Sequence, residues 1–184
     1  MSKAVAEFTG RRITYETPLP LREVTARLDA ELNKEKTGPQ LLKLLGTVKT
    51  REALEDGIHN MSGGNSFVLF GAASFHNWRS AYYERPTQKI FQYTLGNPLI
   101  AETMMRHDIR TALSVPFRIL VAEKPDGRGT QLSYFQPSTL IAVPEGGKVN
   151  QELKAAAEAL DGLAEKLLQK VTDFAPTDER LAKL

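Results

Sequence analysis

A chain of 184 residues, 41% hydrophobic and 25% charged, has the size and composition of one globular domain rather than of a disordered or collagen-like segment. Lys plus Arg number 24 against 22 Asp plus Glu, so a net charge of +2 argues against a polycationic surface for nucleic acid. The absence of cysteine excludes disulfides, thiolate catalysis, iron–sulfur clusters and cysteine-bound zinc.

In chain order, Arg11 to Thr17 places Ile13 and Tyr15 on one side of a short strand that Pro18 and Pro20 stop. From Pro20, Leu21, Val24, Leu28 and Leu32 recur at spacings of three and four, which predicts an amphipathic helix with proline in its first turn. Between Lys34 and Lys49, Gly38-Pro39 and Gly46 interrupt a leucine cluster, consistent with a short helix over the sheet edge. Thr50 caps a further helix, with Leu54, Ile58 and Met61 on one face and Gly63-Gly64 at its end.

Asn65 to Phe75 is apolar on both alternating faces, which predicts a central strand covered on both sides and ending at His76. Asn77 to Arg85 reads as a polar, aromatic link, and Gln88 to Leu95 as a strand with Phe91, Tyr93 and Leu95 facing one way. Asn97 then suits an N-cap and Pro98 the first position of a short helix. Phe117 to Glu123 and Thr130 to Phe135 form a hairpin about Pro125-Asp126-Gly127. A long helix from about Asn150 to Phe174 carries Leu160, Leu163, Leu167, Val171 and Phe174 on one stripe, and Ala175-Pro176 stops it. The expectation is a single α+β domain over residues 1–184: a curved, mostly antiparallel sheet backed by helices, with an extension at 1–10 and a loose tail at 175–184.

No apolar run reaches the roughly 18 residues of a spanning helix, and Met1 to Gly10 lacks the pattern of a signal peptide, so a cytoplasmic protein is expected, without membrane partner. His59, His76 and His107 show no HxxxH or HxxE spacing, and no metal site or cofactor is expected. Nucleotide-binding and nucleophile-elbow motifs are absent from the sequence.

Four stretches carry a family resemblance. They are Phe75-His76; Arg85-Pro86-Thr87 leading to Leu95-Gly96-Asn97-Pro98; Val115-Pro116 before Phe117-Arg118-Ile119-Leu120-Val121; and Ser133-Tyr134-Phe135-Gln136-Pro137. In this order, across about 65–142, the chain resembles the family known as domain of unknown function 302. Phenylalanine at 75 replaces the acid that typically precedes the family's histidine, and leucine at 95 replaces a phenylalanine. The resemblance implies a small α+β domain, commonly a homodimer, with no generally established activity; the segment 34–49 is additional.

His76 is the candidate catalytic residue, a titratable ring at the end of an apolar strand; the alternative is a structural histidine satisfied by a backbone carbonyl. The candidate ligand-binding residues are Trp78, Tyr93, Asn97, Arg118 and Tyr134. Asn97 stands at a helix N-terminus fit for an anion or simply for capping, and Arg118 and Tyr134 place a cation and a phenol on the hairpin, or else make ordinary cross-strand pairs. His107-Asp108, adjacent in a helix, diverge by about 100° and make no dyad. The expected function is a small-molecule-binding domain with a partly apolar pocket near His76, working as a carrier, sensor or accessory protein. A cofactor-free isomerase, cyclase or lyase using His76 is the alternative, and a haem-associated protein a third.

Overall fold

The computed structural model describes residues 1–144 and 147–173 of the chain. Five strands form one antiparallel sheet in the order β1-β5-β4-β3-β2: β1 (Arg12–Thr17), β2 (Val68–Ser74), β3 (Ile90–Gly96), β4 (Phe117–Glu123) and β5 (Thr130–Phe135). Seven α-helices accompany it among the described residues: α1 (Leu21–Glu31), α2 (Pro39–Thr47), α3 (Arg51–Ser62), α4 (His76–Tyr83), α5 (Pro98–Met105), α6 (Pro137–Ile141) and α7 (Gln151–Thr172). The mixed α/β architecture read from the sequence is therefore present, with the long helix at the end of the described chain. The expected end of that helix at Phe174, its stop at Ala175-Pro176 and the loose tail lie outside the described residues.

Strand alternation sorts the sheet into two faces. Tyr15, Phe91, Tyr93, Leu95, Phe117, Ile119, Val121, Leu132 and Tyr134 point to one side, where Val24 and Leu28 of α1 and Leu160, Ala164, Leu168 and Val171 of α7 bury them. The 22-residue α7 starts as its sequence dictates: the Asn150 side chain accepts the N–H groups of Glu152 and Leu153 at 3.0 and 3.1 Å. A smaller cluster of Leu41, Ile58 and Val68, with Leu54, Met61 and Phe70, packs α2 and α3 against the start of β2 from the other side.

Two readings of the sequence are corrected here. The strand over Asn65–Phe75 is not central: β2 pairs only with β3 and forms the sheet's edge. Its first residues are buried on both faces, which explains the apolar run, but Ala72 and Ala73 are exposed beyond a register shift between Leu69 and Gly71. The segment 34–49 forms a 3-10 turn and α2, which lean on that edge, Gly38 N–H donating to the Leu69 carbonyl at 2.8 Å. The expected link after His76 is likewise a helix, α4, whose sequence HNWRSAYY has no apolar stripe because the helix lies on the surface with no buried residue.

Candidate functional site

His76 does not end a strand but opens α4, so its ring is held over the corner between β2 and β3. In either tautomer Nδ1 has a partner at Ile90: the N–H to accept from at 3.2 Å or the carbonyl to donate to at 3.1 Å. Ser74 Oγ is 3.1 Å from the same nitrogen, and Phe91 meets the ring edge-on at 5.0 Å between centroids. These contacts tie Nδ1 and orient the ring over the corner, while Nε2 lies 3.4 Å from Ser74 Oγ.

Ser74 and Phe91 also line a groove of about 720 Å³ along the edge of the sheet, between β2, α1 and the start of α2. The small side chains of Gly71, Ala72 and Ala73 open it, and Phe70, Phe91 and Leu42 give it apolar walls; Leu42 is 57% exposed. At its inner end, Asp29 of α1 is shared between two partners. Its Oδ1 accepts from the Tyr93 hydroxyl at 2.9 Å and its Oδ2 pairs with Lys34 Nζ at 2.7 Å. Burial first, and then the Asp29 hydrogen bond, raise the Tyr93 phenol well above its ordinary value, so it donates at neutral pH and does not act as a base. Of the sequence candidates, this groove contains Tyr93 and has His76 behind its wall.

The other candidates fall elsewhere. Trp78 on α4 is 57% exposed, touches Phe75 edge-on at 6.3 Å and lines neither this groove nor the one on the open sheet face. Asn97 uses both ends of its amide, Oδ1 accepting from Leu99 N–H at 2.9 Å and Nδ2 donating to the Ser66 carbonyl at 3.1 Å. It clamps α5 to the entrance of β2 and also lines a small apolar cavity of about 190 Å³ together with Gly96, Pro98 and Pro116. Two of the family-like stretches meet there: a Cβ on Gly96 would lie 3.1 Å from the Pro116 Cβ, so the glycine permits the approach. Asn97→Ala is expected to cost about 1–2 kcal/mol, the worth of a lost cap and one further hydrogen bond, read as a lower urea midpoint with unchanged slope.

The pairing of Arg118 with Tyr134 on one face is corrected by the register. Tyr134 stands opposite Ile119 and is buried in the core, its ring 6.4 Å from Phe117, whereas Arg118 is exposed on the opposite, open face. His107 and Asp108 follow the end of α5 rather than lying within a helix, and each has its own partner: His107 Nδ1 reaches Glu152 at 3.3 Å, and Asp108 accepts from Arg110 N–H and Nε, both at 2.9 Å. Sequence reasoning missed Asp29 and Lys34. Asp29 is one more polar residue of an amphipathic helix and Lys34 belongs to an irregular turn, and only the fold brings them to Tyr93.

Among the described residues no helix is long and apolar enough to cross a membrane, and no cluster of three or more His, Asp and Glu side chains is placed to hold a metal ion. A family described as "Domain of unknown function DUF302" matches residues 47–167 of the chain. No curated protein matches it. A solved structure of an uncharacterised conserved DUF302 protein from Bacillus stearothermophilus superposes with a TM-score of 0.55 at 15% identity, over 88% of this chain and 95% of that one. At that identity the likeness concerns the fold.

Proposed function

We propose that this chain, which belongs to the domain of unknown function DUF302 family, is a small-molecule-binding domain whose ligand lies in the edge groove in front of His76. The observation that carries this reading is the Lys34–Asp29–Tyr93 chain at the end of an otherwise largely apolar groove, a few convergent polar groups that fix orientation beside apolar walls that supply affinity. The role is that of a carrier, sensor or accessory protein, because the groove presents no free base: the Tyr93 phenol is held protonated and the Asp29 carboxylate is taken by Tyr93 and Lys34.

Native mass spectrometry of the purified protein tests this directly. A copurifying small molecule is expected, returned chemically unchanged on extraction, and lost from an Ala72→Leu variant, whose side chain shares the face of Tyr93 and fills the groove. A folded variant that retains the molecule at full occupancy would place it elsewhere. His76→Ala should lower the melting temperature by about 2–6 °C, the effect of roughly 1–2 kcal/mol of lost buried hydrogen bonding, and weaken retention through the loosened corner. His76→Gln keeps a hydrogen-bonding side chain and should restore most of both.

The same reading includes a homodimer. The exposed edge of β2 is followed immediately by α4 with Trp78, Tyr82 and Tyr83, each at least half exposed, and a second copy would cover unpaired strand groups and aromatic surface together. Light scattering should give the mass of two chains; 20.4 kDa, the mass of one, at micromolar concentration would reject it.

A further inference from the structure

The face of the sheet turned away from α1 and α7 carries a second feature, independent of the edge groove. In the β1–β5 register Arg12 stands opposite Phe135, and the Ile119–Tyr134 pair sets Arg118 opposite Phe135 from the other side. Thr94 follows on β3, opposite Arg118. One row across the open face therefore reads Arg12, Phe135, Arg118, Thr94, with the two arginines on strands about 10 Å apart and a phenylalanine ring between them.

Neither arginine has a hydrogen-bond or ion-pair partner among the described residues. By contrast, Arg27, Arg51 and Arg110 are each held by a carboxylate at 2.6–2.9 Å. The acid that shares β1's outer face with Arg12, Glu16, is taken by Lys124 at 2.9 Å. Two like charges thus flank an aromatic ring with nothing to neutralise them, an arrangement that favours an anion held by two guanidinium forks.

The surroundings are apolar. Leu113, Leu120, Phe135 and Leu140 line a groove of about 450 Å³ beside the two arginines, Leu113 being 87% and Phe135 54% exposed. That volume lies in the range of roughly 300–1,000 Å³ usual for small-molecule sites. A simple inorganic anion would use the charges and leave the apolar surface wet, and a neutral apolar molecule would leave the charges unmet.

We propose that the open face of the sheet is a binding site for an amphipathic carboxylate, its head group between Arg12 and Arg118 and its apolar body along Phe135, Leu120, Leu113 and Leu140. The site is separate from the edge groove, and neither proposal needs the other.

Isothermal titration of the full chain with sodium decanoate below its micellar concentration tests it, with decanol and inorganic phosphate as partial mimics. Saturable decanoate binding is expected, with both mimics weaker by roughly tenfold or more. Arg12→Gln and Arg118→Gln, both at exposed positions and checked for an unchanged melting temperature, should each weaken decanoate by several-fold and together by at least roughly tenfold. Phe135→Ser should weaken decanoate and leave phosphate unaffected, whereas Ala72→Leu in the edge groove, on the opposite face of the sheet, should leave decanoate binding as it is. Absent decanoate binding, decanol binding equally well, or indifference to the double arginine variant would each overturn the proposal. So would a double variant that dissociates a dimer without changing decanoate affinity, since the face would then belong to a second copy.

Discussion

Replacing Gly129 by alanine should lower the melting temperature by at least about 6 °C, the largest effect expected of any single methyl group in this domain. Gly129 has φ of +106°, a region that side-chain-bearing residues rarely enter, and a Cβ there would lie 2.1 Å from the carbonyl oxygen of Thr17 and 2.9 Å from the Cα of Pro18. Both neighbours are backbone, so no rotamer change relieves the clash. The place is also tightly tied. Gly129 O accepts from Lys124 N–H at 3.0 Å, Thr130 Oγ1 donates to the Leu19 carbonyl at 2.8 Å, and Thr17 Oγ1 donates to the Thr172 carbonyl at 3.0 Å. The exit of β1, the β4–β5 turn and the end of α7 therefore converge at one point. Strain of about 1–3 kcal/mol plus displacement of these bonds gives at least about 3 kcal/mol, and each kcal/mol moves the midpoint of a chain this long by roughly 2–4 °C. Gly127→Ala, two residues earlier, is the control. Its φ is +70° but open space surrounds it, so a loss of only about 1 kcal/mol is expected.

The second large effect is a loss of stability in alkali. Tyr93 and Tyr134 are both nearly fully buried, and burial raises both phenols well above their ordinary value, with help from the Asp29 hydrogen bond at Tyr93 and from Tyr15, Glu165 and Asp161 at Tyr134. Their protons bind more tightly in the folded chain than in the unfolded one. The stabilisation is fully present below the unfolded value of about 10 and is lost as pH rises from there towards the folded values. Each group contributes at most about 1.4 kcal/mol per pH unit over that window. Urea midpoints should stay flat to about pH 9 and fall steeply beyond about pH 10, and tyrosinate absorbance from these two rings should appear together with unfolding. Tyr93→Phe should make the fall shallower. An unchanged slope in that variant, or smooth ionisation of all five tyrosines in the folded protein, would contradict the assignment.

Periodicity makes most of the helices legible in the sequence. Leu21, Val24, Leu28 and Leu32 are all buried as their spacing requires, and Thr50, Asn97 and Asn150 cap the helices their positions announce. Alternation likewise located the strands and the hairpin. Strand order was not legible, because an apolar run says that both faces of a segment are covered and not by what. At β2 the second cover is α2 and α3, and it reaches only the first residues. The helix α4 escaped because pattern reading depends on a buried stripe, which a surface helix lacks. The site suffered from the same limit. Tyr93 and Arg118 were recognisable as candidates by residue type, but their partners Asp29 and Arg12 are ordinary surface positions until the register sets them in place. The face of Tyr134 depends on which residues of β4 and β5 oppose each other, and that is set by the register rather than by residue type.

The strand order also bears on how the chain is made. β2, β3, β4 and β5 follow one another as a meander and can pair as they appear, but β1 belongs beside β5 at the far end of the sheet. Thr130 and Leu19, which share a hydrogen bond at that junction, are 111 residues apart. During synthesis β1 therefore leaves the ribosome long before its neighbour exists and waits without a strand to pair with, and closing so long a loop makes its docking a late event. Destabilising changes in β1 should accordingly quicken unfolding far more than they slow refolding, and the newly made N-terminal segment is the part of this protein most in need of a chaperone's protection.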